Sequence, residues 1–243
     1  MRNVICTKWG TKYGPEYVNR LFRMVRRNLD GDYRFVCFTD DPAGLEEGIE
    51  AFELPDVPVV GHRLDHGWKK LGVLASPLAD ITGQVLYLDL DVVITGDLGP
   101  LFELDGPFRV IKDYKVFRYR HRYTGNTSVF RFEAGAHSAL LDELAEMGER
   151  VMEDFRNEQE LISWYMRREG LLDYWPPQWC PSYKHDCVPL APLGWFRKPK
   201  LPAGAKVIVF HGDPKPEDAI SGGHGSKWYR IIRPAPWLAD YMR

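Results

Sequence analysis

The chain predicts an α/β fold: a mixed, mainly parallel sheet flanked by helices in a single domain over residues 1–243. Three observations predict it. Strand-like and helical segments alternate from the N-terminus. The first two strand segments are joined by one amphipathic helix, which calls for a parallel, right-handed crossover. An apolar strand, residues 85–88, then runs directly into Asp89, with Asp91 two positions on, and ligands in open α/β sheets bind beyond such strand ends.

Residues 3–7 (Asn-Val-Ile-Cys-Thr) form the first strand segment, followed by a loop over residues 8–14 that holds Trp9 and Tyr13. From Pro15, the spacing of Val18, Leu21, Phe22, Val25 and Leu29 is helical, and Asp30 and Gly31 supply the stop. Residues 33–39 give a second strand, closed by the turn residues Asp40, Asp41 and Pro42. Residues 53–66 read as irregular. From Trp68 the spacing predicts a helix carrying Leu71, Leu74, Ala75 and Leu78 into the strand that begins at Val85. Strands are expected over 108–116 and 127–132, and helices over about 135–151 and 157–168. The Pro- and Trp-dense stretch 173–204 leads to a last buried strand over 206–210.

Composition narrows the function. The hydrophobic fraction of 44% and charged fraction of 27% are those of an ordinary globular chain. Lys+Arg 32 against Asp+Glu 34 argues against nucleic acid as a partner. No apolar run reaches the roughly 18 residues of a membrane span. Cys6 and Cys37 sit in apolar segments, and Cys180 and Cys187 are spaced for at most a local bridge. A reduced, cytoplasmic and at most membrane-peripheral protein is the expectation.

Chemistry concentrates at strand ends. Side chains two apart in a strand share a face, so Asp89 and Asp91 are expected to converge, and converging carboxylates need a cation or a proton. A turn cap beside a solvated Asp is the plainer alternative. The last strand ends in His211 and Gly212, with Lys215 close behind. An imidazole beside two carboxylates suits Mn²⁺, whereas Mg²⁺ prefers oxygen alone. Gly212 allows close backbone approach, and Lys215 offers a charge for a phosphate. A satisfied structural histidine is the alternative for His211.

These residues resemble the nucleotide-sugar-dependent glycosyltransferases of the GT-A (Rossmann-like) fold, most closely the family 8-like group. The likeness covers nearly the whole chain. The Asp89-Leu90-Asp91 triplet is similar to the family's strand-borne DxD. His211-Gly212 with Lys215-Pro216 is similar to its C-terminal signature. Asn126-Thr127-Ser128-Val129 resembles its Asn-Ser-Gly segment, and Glu158-Gln159 stands where the family has Asp-Gln.

The resemblance implies a nucleotide-binding half (1–95) and an acceptor-side half (96–243) with a C-terminal metal-ligand strand. It implies Mn²⁺, or Mg²⁺, on Asp89, Asp91 and His211, with Lys215 and Lys70 on the donor. Gln159 and Asn126 would lie near the sugars, as the catalytic pair of a retaining reaction. The implied activity is metal-dependent transfer from a nucleotide-sugar, expected to be a UDP-sugar, to a saccharide or lipid-linked glycan. For Lys70 a solvated lysine beside Lys69 is the alternative, and for Gln159 a helix-start hydrogen bond.

The chain departs from the pattern in its first loop, where Thr7-Lys8-Trp9-Gly10 replaces an acidic residue. Trp9 or Tyr13 would then stack on the base and Thr7 would bond its edge. Arg118, Arg120 and Arg122 alternate before Asn126 and would grip an anionic acceptor, and residues 221–225 suggest a lid. Two rival functions remain: a haloacid-dehalogenase-type phosphatase with Asp89 as nucleophile, and a catalytically silent module that binds nucleotide or glycan.

Overall fold

β1 (Arg2–Lys8) is buried along almost its whole length, as a strand between two helical layers must be. The computed structural model describes residues 1–58, 67–114, 125–189, 196–224 and 231–243. Arg118, Arg120, Arg122 and Gly225 lie outside these, as do positions 115–116 of the expected strand.

α1 (Pro15–Asn28) begins where the sequence places it. Extended Gly14 precedes it, and Pro15 occupies the first turn, where its missing N–H costs nothing. Val18, Leu21, Phe22 and Val25 form the buried stripe, each contributing about 1.5–3 kcal/mol. The helix ends at Asn28, before the expected stop, and returns the chain to β2 (Arg34–Thr39), parallel to β1 with Cys6 opposite Cys37. An unforeseen short strand, β3 (Glu50–Phe52), extends the sheet beyond β2.

The expected helix from Trp68 is instead a 3₁₀ helix, Trp68–Leu74, with Ala75 already extended. Trp68, Leu71 and Leu74 are spaced by three, and a 3₁₀ turn places such positions directly above one another.

β4 (Gln84–Leu88), β5 (Val93–Ile94), α2 (Gly99–Glu103), β6 (Phe108–Lys112) and β7 (Gly125–Glu133) follow. Next come α3 (Ala139–Met147), α4 (Val151–Asp154), α5 (Glu158–Arg168) and a short β8 (Leu172–Tyr174). The strand expected over 206–210 shrinks to β9 (Val207–Ile208), which pairs antiparallel with β5 outside the main sheet. The chain closes through α6 (Pro216–Ser221), the pair β10 (Gly223–His224) and β11 (Ile231–Ile232), and α7 (Leu238–Tyr241).

The seven-stranded sheet runs β3-β2-β1-β4-β7-β6-β8. β7 is antiparallel to both of its neighbours, and the other recorded pairings are parallel. Strand parity divides the core. Val4, Cys6, Leu86 and Leu88 pack with α1, β9 and α7, while Ile5, Val85 and Tyr87 pack with the 3₁₀ helix, α3 and α5. All four cysteines are buried free thiols. Among the described residues no helix is long and apolar enough to cross a membrane.

Candidate functional site

From β1 the chain steps through α1 to β2 on one side, and β4 lies against β1 on the other. That reversal opens a crevice at the carboxyl ends of β1 and β4, the place where open α/β sheets take ligands. Thr7, Trp9 and Tyr13 leave β1 there, and the 89–91 turn leaves β4.

β4 ends at Leu88, so Asp89, Leu90 and Asp91 form a turn rather than strand. The period of two therefore stops short of Asp91, and the two carboxylates take different partners on different sides of the sheet. Asp89 keeps the parity of Tyr87. Its Oδ1 lies 2.7 Å from Lys70 Nζ, whose ammonium also reaches the Thr127 carbonyl at 3.2 Å and Glu158 Oε1 at 3.8 Å.

Lys70 is no surface lysine; it is buried beside Leu71. Burial works against its charge, but Asp89, Glu158 and Asp91 more than offset it and hold its pKa above the ordinary value. Glu158 is buried as well, and burial raises its pKa in spite of Lys70. Gly67, at φ +108°, covers that carboxylate: a Cβ there would lie 3.0 Å from Glu158 Oε2, so only glycine fits.

The same cluster holds the two polar residues expected near the sugars. α5 starts with Asn157 as N-cap, its side chain accepting from the Glu160 N–H. This sets Gln159 in the first turn, where its Oε1 accepts from the Thr127 N–H at 3.3 Å. Asn126 is buried on β7, its Oδ1 accepting from the Ser128 N–H at 3.0 Å. Both amides thus spend their carbonyl oxygens on backbone donors and keep NH₂ groups to offer.

Asp91 looks the other way. Its Oδ2 accepts from Tyr13 Oη at 2.7 Å and from Lys215 Nζ at 2.5 Å. Lys215 is the residue before α6, so one short helix carries this cation in. Burial, then Asp91, pushes the Tyr13 phenol pKa well up, which keeps it a donor. Lys12 and Lys215 lie over the Tyr13 ring at 5.0 and 4.9 Å, and Tyr17 meets it edge-on. A base can stack there only by displacing a cation. Thr7 is occupied too: its hydroxyl lies 2.6 Å from Tyr87 Oη in the buried sheet. Trp9 stays half-buried at the loop start.

β9 runs antiparallel to β5, with Val93 opposite Ile208, so the chain after Ile208 returns alongside the 89–91 turn. His211 follows, its Nε2 2.7 Å from Ser182 Oγ and its ring stacked with Tyr114 and His185. Gly212, at φ +71°, turns the backbone, and Lys184 Nζ reaches the His211 carbonyl at 2.5 Å. Among the described residues no three of His, Cys, Asp and Glu stand close enough together to hold a metal ion. The carboxylates of Asp89 and Asp91 fit a hard cation by their oxygen chemistry, and each is now neutralised by a lysine.

Sequence reasoning missed Tyr87, Thr127, Ser182 and Tyr114. Tyr87 was findable, since it shares a strand face with Asp89. Thr127, inside the 126–129 segment, meets Lys70, Glu158 and Gln159 at once. No sequence signal singles out Ser182 or Tyr114.

No protein-family model and no curated protein sequence matches the chain. Solved structures do. The galactosyltransferase LgtC, in complex with donor and acceptor sugar analogues, aligns with 88% of this chain and 88% of its own at TM-score 0.60 and 16% identity. An active-site mutant of LgtC aligns at TM-score 0.59 and 16% identity, over 88% of this chain and 89% of that one. The glycosyltransferase GlyE of Streptococcus pneumoniae TIGR4 aligns over 100% of this chain and 61% of its own, at TM-score 0.62 and 16% identity. At that identity the likeness establishes the fold, which is of the GT-A type.

Proposed function

We propose that the chain is a glycosyltransferase that moves a sugar from a nucleotide-sugar, a UDP-sugar in our reading, to a saccharide or lipid-linked saccharide with retention of configuration. One observation carries the reading. Lys70 and Lys215 converge on the 89–91 turn from opposite sides of the sheet, at the switch-point crevice of a fold shared with a galactosyltransferase. A departing nucleoside diphosphate needs concentrated positive charge at its oxygens.

Asp89 and Asp91, with His211, would hold Mn²⁺ or Mg²⁺ only once Asp91 leaves Lys215 and His211 leaves Ser182 so that the three draw together, and the ion would supply Lewis-acid neutralisation of the diphosphate. Lys215 exchanges the Asp91 carboxylate for the diphosphate, and Gly212 leaves room for the phosphates to approach the backbone. Lys70 stays in place beside Asp89. Gln159 and Asn126 present NH₂ donors, which suits them to hold sugar oxygens rather than to take a proton. The leaving phosphate is then the base that receives the acceptor's proton. Trp9 is the stacking residue for the base, since Tyr13 is already covered by cations.

The test has two arms. Nucleoside diphosphate release is measured over a panel of sugar nucleotides with Mn²⁺, and one donor should stand out. Calorimetric titration of that donor into Asp91→Asn should show no metal-dependent binding while the fold survives. Unchanged, still metal-dependent affinity in the variant removes Asp91 from the site, and binding without turnover would leave a silent nucleotide-binding module.

A further inference from the structure

Among the described residues, the large apolar side chains left strongly exposed are Met1, at 76%, and Phe196, at 75%. Met1 is terminal, whereas Phe196 lies within the chain. Exposed Arg197, Lys198 and Lys200 follow it at once. From Cys187 to Gly212 the sequence contains no Asp or Glu at all, in a protein whose net charge is -2. None of these three cations has an ion pair among the described residues. By contrast Lys206, in the same stretch, bonds the Asp97 carbonyl and lies over Trp179.

The segment is fixed at its base. Pro199 is buried, and its carbonyl accepts from Trp237 Nε1 at 3.1 Å. The Lys200 N–H donates to the Cys187 carbonyl at 3.0 Å. Cys187 ends the π-turn, Tyr183–Cys187, that follows Ser182, the hydrogen-bond partner of His211. An apolar ring and three unpaired cations are thus held out from the wall of the candidate site on an anchored strap. A bare phenyl ring gains by leaving water, and basic residues beside it gain at an anionic lipid surface.

We propose that residues 196–200 form a membrane contact, with Phe196 inserted at the interface and Arg197, Lys198 and Lys200 on anionic lipid headgroups. This surface is distinct from the crevice, and vesicle binding requires neither donor nor metal, so it stands or falls apart from the transferase reading.

The experiment is co-sedimentation of the full chain with vesicles of phosphatidylglycerol mixed into phosphatidylcholine, and with phosphatidylcholine alone. Binding should be seen with the first and not the second, and should weaken with salt. Each basic residue near such a surface strengthens binding by about five-fold. The triple variant R197Q/K198Q/K200Q should therefore bind on the order of a hundred-fold more weakly, with an unchanged thermal midpoint. Phe196→Ala should also lose affinity, and Phe196→Trp should keep it. Absence of wild-type binding to the anionic vesicles, equal binding to both vesicle types, or full binding by the triple variant each overturns the proposal. A protein that ignores vesicles but is captured through this strap by another protein overturns it as well.

Discussion

The two carboxylates of one turn are neutralised in opposite ways. In the Asp89 pair the lysine is the buried member, Lys70 at 7% exposure against 24% for the acid. In the Asp91 pair the acid is the buried member, at 12%, and Lys215 is 27% exposed. The first cation belongs to the core and is held by Asp89, Glu158 and the Thr127 carbonyl. The second arrives on a short helix and faces water. A lysine of the first kind can lend its charge only from where it stands, and one of the second kind can be traded for a ligand.

The largest expected effect breaks the first pair. Lys70→Met leaves two carboxylates without their shared cation and should cost about 3–5 kcal/mol of stability, as removal of one partner of a buried pair does. Urea denaturation measures it, and a loss under roughly 1 kcal/mol would make Lys70 as replaceable as its counterpart. Lys215→Met should sit at the other pole. Its stability should change by less than about 1 kcal/mol, while donor affinity falls roughly ten- to hundred-fold, the scale of a lost hydrogen bond to a charged group. Titration of donor into the variant, paired with its melting curve, decides this.

Base recognition adds a smaller contrast. Trp9→Ala should weaken free nucleoside diphosphate by about 1–3 kcal/mol, as loss of a stacking partner does. Tyr13→Phe, which keeps the ring and removes the bond to Asp91, should cost only about 0.5–1.5 kcal/mol. Affinity kept in Tyr13→Phe but lost in Tyr13→Ala as strongly as in Trp9→Ala would return Tyr13 to the base.

The gentlest probe is pH. Burial raises the Glu158 pKa above its ordinary 4.5 in the folded chain, so the folded state holds a proton that the unfolded state has released. That contribution to stability is complete below pH 4.5 and is lost as pH rises through the raised value. Glu158→Gln should therefore gain on the wild type progressively over that interval in denaturation curves. A parallel pH profile would mean that Lys70 cancels the burial cost entirely.

Much of this was legible in the residues. The β1-α1-β2 unit declared itself because its apolar periods are clean, and the β4 exit did so because carboxylates follow an apolar run. The strand period of two was carried through Asp91, whereas β4 ends at Leu88 and both carboxylates sit at the turn beyond it, each with its own lysine. The region from Trp68 was misread because a spacing of three fits 3₁₀ and α patterns alike over a short span. β3 and β9 are too short for alternation to register. The partners Ser182 and Tyr114 become neighbours of His211 only through long-range packing, which leaves no local signature.

The antiparallel pairing of β5 with β9 binds the middle of the chain to its last quarter. As the polypeptide is made, β1 to β4 emerge first and can order early, since N-terminal units fold ahead of the rest. The cation for Asp91 and the imidazole of His211 are still untranslated at that stage. Distant contacts also form slowly, because the intervening loop must close before they reward it. The crevice is therefore finished last, and a nascent or truncated polypeptide can own a sound sheet while the wall that carries His211 and Lys215 is missing. Pairing across that distance makes the joining of β5 to β9 a sensitive reporter of whether residues 93–208 have folded as one unit.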